Sequence, residues 1–179
     1  MKILQIINSL ATGGAEKLLL ETLPLYKEKG IAMDLLVLNG KENPFLEELK
    51  KLDCCMMFSL GNKSVYNPMH IFKIMPYLKK YDIIHVHLFP AQYWVVLAKL
   101  LSFSNIRLVF TEHNTSNRRL ENKFFRFLDR LIYRGYHKVI CITQEIKKIL
   151  QNHTDLSDSI FIVIENGVNL VMIKESDSL

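Results

Sequence analysis

Lys2 to Lys17 reads KILQIINSLATGGAEK, an apolar strand that enters a Gly-Gly turn and leaves it as a helix. Ile3, Leu4, Ile6 and Ile7 form the near-continuous apolar run of a strand covered on both faces, which places it in the middle of a parallel sheet. Ala15, Leu18, Leu19, Leu20 and Leu23 supply the apolar side of the helix. Gly13 and Gly14 lack a Cβ, so the backbone can turn sharply and another group can approach the first helical amides, whose partial positive charge suits a phosphate or a sugar. The competing reading is that strand-to-helix turns in doubly wound folds tend to carry glycine for packing alone.

Working outward, strand and helix periods alternate along the chain. Gly30 is expected to end the first helix, and Pro24 inside it to kink it near Leu20. A strand over Ile31–Leu38 follows, then a helix that Asn43-Pro44 opens and that runs to Leu52. Cys54–Phe58 reads as a short strand, Asn67-Pro68 opens a helix to about Lys80, and Asp82–His87 is the next strand. The remaining elements are a helix over Ala91–Phe103, a strand over Arg107–Thr111, a long helix from about Leu120 to Arg134, a strand over Lys138–Ile142, a helix over Thr143–Asn152 and a strand over Ile160–Ile164. Such alternation predicts right-handed βαβ crossovers: an α/β, Rossmann-like doubly wound parallel sheet with helices on both faces. Residues 1–170 are expected to form one domain and residues 171–179 a linker or frayed tail.

Composition bounds the function classes. With 179 residues and 49% hydrophobic content the chain can bury one sizeable core. The net charge of +5 suits a nucleic acid, an anionic membrane or a phosphorylated ligand until its location is known. Cys54, Cys55 and Cys141 have no Cys-x-x-Cys spacing, so neither a disulfide framework nor a zinc site is expected, and a reducing cytoplasm fits. Gln5 and Asn8 interrupt the first apolar run and argue against a signal peptide. No run approaches the roughly 20 apolar residues of a membrane span.

In open parallel sheets ligands sit outside the carboxyl ends of the strands. That criterion selects Thr12-Gly13-Gly14, His85 and His87, Glu112-His113-Asn114, Thr143-Gln144 and Glu165-Asn166-Gly167. The first turn lacks the Gly-x-Gly-x-x-Gly spacing of dinucleotide enzymes, and neither a phosphate-binding loop nor a Gly-x-Ser-x-Gly elbow occurs. His85 and His87 share one side of a strand but lack the usual helical zinc spacing, so no metal is assigned.

Gly13-Gly14-Ala15-Glu16, Asp82-Ile83-Ile84-His85-Val86-His87, Thr111-Glu112-His113, Ile140-Cys141-Ile142-Thr143 and Asn166-Gly167-Val168-Asn169 follow one another over nearly the whole chain. In that order and spacing they resemble the amino-terminal, acceptor-side domain of a retaining, nucleotide-sugar-dependent glycosyltransferase of the GT-B type. The resemblance implies two Rossmann-like domains facing across a cleft, the second of them, mainly donor-binding, absent here and supplied in cis or in trans. It implies that Gly13 and Gly14 approach the donor diphosphate and sugar, and that His113 reaches the transferred sugar as the catalytic-site histidine. His87, Phe89 and Gln92 would line the acceptor side, while Glu16 stabilises the helix dipole. Asn169 stands where Asp is more usual, and Pro24 is a second departure. The implied reaction moves a sugar from a nucleotide-sugar to a glycan or lipid-linked acceptor, as in cell-surface polysaccharide synthesis, with no cofactor beyond the donor and no metal. The alternative is a non-catalytic binding module, or the accessory half of a two-chain transferase, and the reading frame downstream of Leu179 would discriminate.

The positive charge has a place. Arg119, Lys123, Arg126, Arg130 and Arg134 recur at spacings of four, three, four and four and form one basic stripe. Leu120, Phe124, Phe127, Leu128 and Leu131 fall on the remaining surface and are expected to be buried. The stripe reads as a solvated face or as peripheral attachment to an anionic membrane at its cytoplasmic side, and no recognition motif for nucleic acid accompanies it.

Overall fold

The structure is a computed structural model that describes residues 1–113 and 123–165. Its sheet holds β1 (Ile3–Ile7), β2 (Met33–Val37), β3 (Met57–Ser59), β4 (Ile83–His87), β5 (Arg107–Glu112), β6 (Lys138–Cys141) and β7 (Phe161–Val163). The strands run in the order β3-β2-β1-β4-β5-β6-β7, every neighbouring pair parallel. β1 is central and buried at all five positions, as its apolar run requires. The order reverses between β1 and β4, so the crevice for a ligand opens at the carboxyl ends of those two strands.

The pleat sends alternate residues to two cores. Leu4, Ile6, Ile84, Val86, Leu108, Phe110 and Val139 join one core with Val95 of α4 (Ala91–Leu101) and with Ile146 and Leu150 of α6 (Gln144–Thr154). Ile7, Leu35 and Val37 join the other with Leu19, Leu20 and Leu23 of α1 (Gly14–Glu28) and with Leu46 and Leu49 of α2 (Pro44–Leu52). Helices therefore cover both faces.

Local signals explain most boundaries. Gly30, at φ +71, ends α1 as expected, its amide bonded to the Lys27 carbonyl and that of Ile31 to Tyr26. Thr143 caps α6 through its hydroxyl, which accepts from the Ile146 amide at 3.2 Å. α1 runs unbroken through Pro24, because its buried leucines hold the helix on the sheet although one backbone bond is missing. The helix expected to reach Lys80 is shorter: α3 spans His70–Ile74 and continues as a 3₁₀ turn over Met75–Lys79. Pro76 is the reason, since it has no amide to give to the preceding turn. β3 lies later than the expected Cys54–Phe58, because Asp53 ends α2 in the left-handed region and pairing with β2 begins at Met57 opposite Leu35. α5 is described over Lys123–Tyr133, and the expected start of that helix near Leu120 lies outside the described residues, as does the tail 171–179.

α4, α5 and α6 are locked by a buried carboxylate. Asp129 of α5, fully buried, accepts from the Tyr93 hydroxyl at 2.5 Å and pairs with Nε2 of His153 at 2.8 Å. Three helices thus share one satisfied polar centre, and removing one member would leave others buried without partners.

Candidate functional site

The polar interruptions of the first strand turn out to organise its carboxyl edge. Asn8, just past β1, donates from Nδ2 to the Phe89 carbonyl at 2.7 Å and accepts the Ala91 amide on Oδ1 at 3.2 Å. It thereby ties the β4–α4 loop to the end of β1. In that loop Leu88 takes a left-handed conformation, φ +64, which a residue with a branched side chain adopts only where its surroundings enforce it.

Below this edge lies a histidine cluster. Gln5 pairs in register with His85, and alternation then puts Gln5, His85, His87 and Thr111 on the α1 side of the sheet. Nε2 of His87 lies 2.9 Å from Oε1 of Gln5, and its Nδ1 lies 3.1 Å from Nε2 of His113. His85 bonds through Nε2 to the Thr111 hydroxyl at 2.7 Å and stacks on His87 with ring centres 4.3 Å apart. A cleft of about 230 Å³ opens between Gln5, His85, His87 and Thr111 on the sheet and Thr22 and Tyr26 of α1.

Burial sets the charge of the cluster. It pushes His113 down to about 4, and His85 down to about 4 with the neighbouring His113 adding to the effect. His87 is held well below the usual range, first by burial and then by the two rings beside it. All three are neutral imidazoles at neutral pH, so they offer hydrogen bonds to uncharged hydroxyls and no positive charge to a diphosphate.

The glycine turn lies on the same carboxyl edge, separated from His113 by β4. Gly13 is extended, and its carbonyl accepts the Lys17 amide at 2.9 Å as the first bond of α1. A Cβ on Gly13 would meet the Glu16 carboxylate, which folds back over the helix start and whose burial raises its pKa. Glu16 therefore does occupy the positive end of the helix. A Cβ on Gly14 would meet nothing within 4 Å. Gly14→Ala should accordingly keep or slightly raise the thermal stability, by up to about 1 kcal/mol of helix propensity. A clearly lower melting temperature in the variant would show that the turn needs a glycine for its backbone conformation.

The residues expected on the acceptor side separate. Phe89 sits between Tyr66, at 6.1 Å, and Tyr93, edge-on at 5.3 Å, and forms an aromatic group beside the β4 end. Gln92 is instead fully buried on α4, where its backbone carbonyl accepts the Tyr136 hydroxyl. The basic stripe also divides. Arg126 donates to the carbonyls of His153 and Asn152 at the end of α6, and Arg130 pairs with Asp155 at 3.1 Å. Arg134 is exposed, Lys123 opens α5, and Arg119 lies outside the described residues, as do Asn166, Gly167, Val168 and Asn169. Phe127 and Leu131, expected in the core, are 62% and 47% exposed. Asp129, Ile132 and Tyr133 take the buried side instead, because the Tyr93–Asp129–His153 centre fixes the helix rotation.

The comparisons with known proteins fit this geometry. Alr3699/HepE of Anabaena, solved in complex with UDP and glucose, superposes with a TM-score of 0.75 at 17% identity over 96% of this chain and 46% of its own. A glycosyltransferase from Rickettsia africae gives 0.74 at 22% identity over 98% and 45%. The lipopolysaccharide outer core galactosyltransferase WaaB in its apo form gives 0.69 at 14% identity over 94% and 46%. The chain thus spans less than half the length of these structures. No curated protein matches it in sequence. Residues 12–171 match Glycosyltransferase Family 4, a span that runs from the glycine turn through the histidine cluster and beyond the last strand, and the chain belongs to that family.

Proposed function

We propose that residues 1–170 form the acceptor-side half of a retaining glycosyltransferase that moves a sugar from a nucleotide-sugar to a glycan or lipid-linked acceptor. The observation that carries this reading is a neutral His113, held by His87 on the same sheet edge as the open backbone at Gly14. A neutral ring there can bond a sugar hydroxyl and place the reacting carbon. Phe89 with Tyr66 and Tyr93 offers apolar ring faces to an acceptor. The donor half comes from a second domain, in cis or in trans, and the donor phosphate assists acceptor activation without a resident metal or cofactor. The alternative, a module that binds without chemistry, uses the same edge.

The test compares this chain alone with the chain joined to its carboxy-terminal half. Alone it should melt cooperatively, bind UDP-glucose only weakly and show no turnover. Binding tighter than about micromolar by calorimetry, a free energy near −8 kcal/mol, would overturn the placement of the donor site in the other half.

A second proposal concerns location, favoured by the exposure of Phe127 and Leu131 next to Arg134. No helix of the described residues is long and apolar enough to cross a membrane. Instead α5 would rest its exposed apolar residues and basic side chains on an anionic surface, each exposed cation contributing about 1 kcal/mol there. Arg126 and Arg130 are unsuitable probes because they also hold the end of α6. Sedimentation with anionic vesicles should fall several-fold for Phe127→Ser with Arg134→Glu, and the remainder should be released by salt. Equal binding to neutral vesicles, or no change in the variant, would reduce the face to a solvated surface.

A further inference from the structure

Gln5 is a polar side chain only 2% exposed in the middle of the central strand, flanked by Leu4 and Ile6 of the core. An amide there is costly unless its bonds are made, and its two ends face different groups. Oε1 lies 2.9 Å from Nε2 of His87, while its Nε2 turns to the sulfur of Met33 at 3.3 Å. A carbonyl oxygen only accepts, so Nε2 of the neutral His87 ring carries the proton. Nδ1 of His87 is then a bare lone pair. The 3.1 Å contact to His113 closes only when His113 donates from its own Nε2. The lone pair of His113 is thereby confined to Nδ1.

We propose that Gln5 is a positioning residue: through His87 it sets the tautomer of His113, making Nδ1 of His113 a hydrogen-bond acceptor for a hydroxyl of the bound ligand. Turning the amide over would reverse every donor in the relay and present an N–H to the ligand instead. The relay has one polarity because the amide has one. Gln5 and His87 are each 2% exposed and His113 is half-buried, so protein groups rather than bulk water supply the partners that fix the relay. The inference rests on the glycosyl-transfer reading only in taking that hydroxyl to belong to a sugar.

The test reads the ring nitrogens directly, by long-range ¹H–¹⁵N correlation on the uniformly labelled 179-residue chain at neutral pH, with signals assigned from single histidine replacements. His87 and His113 should each show a protonated Nε2 and a bare Nδ1. Gln5→Met, close in length and shape but without the carbonyl, should lose the single tautomer of His113 and give a mixture of both forms. A purely structural glutamine would change the melting temperature and leave the tautomer as it was. A protonated Nδ1 on either ring of the unaltered chain overturns the proposal, and so does an unchanged His113 pattern in Gln5→Met. If that variant does not fold, the spectrum of the unaltered chain decides alone. The readout needs no ligand, so its failure is distinct from failure of the transfer reading, which the turnover comparison decides.

Discussion

Replacing His113 by alanine should lower turnover on the order of 100-fold in the protein that carries both domains, the size of loss seen when one preorganised hydrogen bond to a reacting group is removed. In the proposed transfer this bond would strengthen as the sugar approaches its transition state, so the loss should fall on kcat more than on KM. Stability should change far less. His113 is half-buried and gives up one hydrogen bond, to His87, which leaves a buried nitrogen unpaired at a cost of about 1 to 2 kcal/mol. Kinetics and thermal melts of the same variant separate the two. If activity and melting temperature fall together, or if activity does not fall, His113 is a core histidine and no more.

Acid should destabilise the fold well before its carboxylates titrate. In the folded chain His85 and His113 stay neutral down to about 4, whereas in the unfolded chain each binds a proton below about 6.5. The unfolded state therefore holds more protons throughout the interval between those values, and stability rises with pH across it. Read downward, the contribution is complete above 6.5 and is lost progressively as the pH falls toward 4. At pH 4.5 the two rings together would have removed roughly 5 kcal/mol, and His87 acts in the same direction. Urea melts between pH 7.5 and 4.5 test this. A profile flat over that range would show that the cluster is hydrated, and His85→Gln should reduce the slope where the cluster is its source.

Much of this was legible from residue order. The apolar Ile3–Ile7 run fixed an interior strand, alternating periods fixed a parallel sheet with helices on both faces, and Asn43-Pro44 and Gly30 placed helix ends because each signal acts on its own backbone neighbours. Even the site's location follows from strand ends once the sheet is parallel. Pro76 was equally local, and the shortening of α3 to His70–Ile74 could have been read from it.

The partners of the polar residues were not legible in that way. Gln5 and Asn8 stood out as breaks in an apolar run, yet their bonds reach His87 and Phe89 about 80 positions away, as the separations of 82 and 81 record. Likewise the charge and apolar spacing of Lys123–Tyr133 gave two faces without saying which was buried. That was decided by Asp129, whose bonds to Tyr93 and His153 turn Phe127 and Leu131 outward and send Arg126 and Arg130 to the end of α6. A backbone signal is read within a turn of itself, so the sequence determined the elements and the sheet; a buried polar group is satisfied by whatever the fold brings within about 3 Å, so only the tertiary structure decided the bonds that make the site.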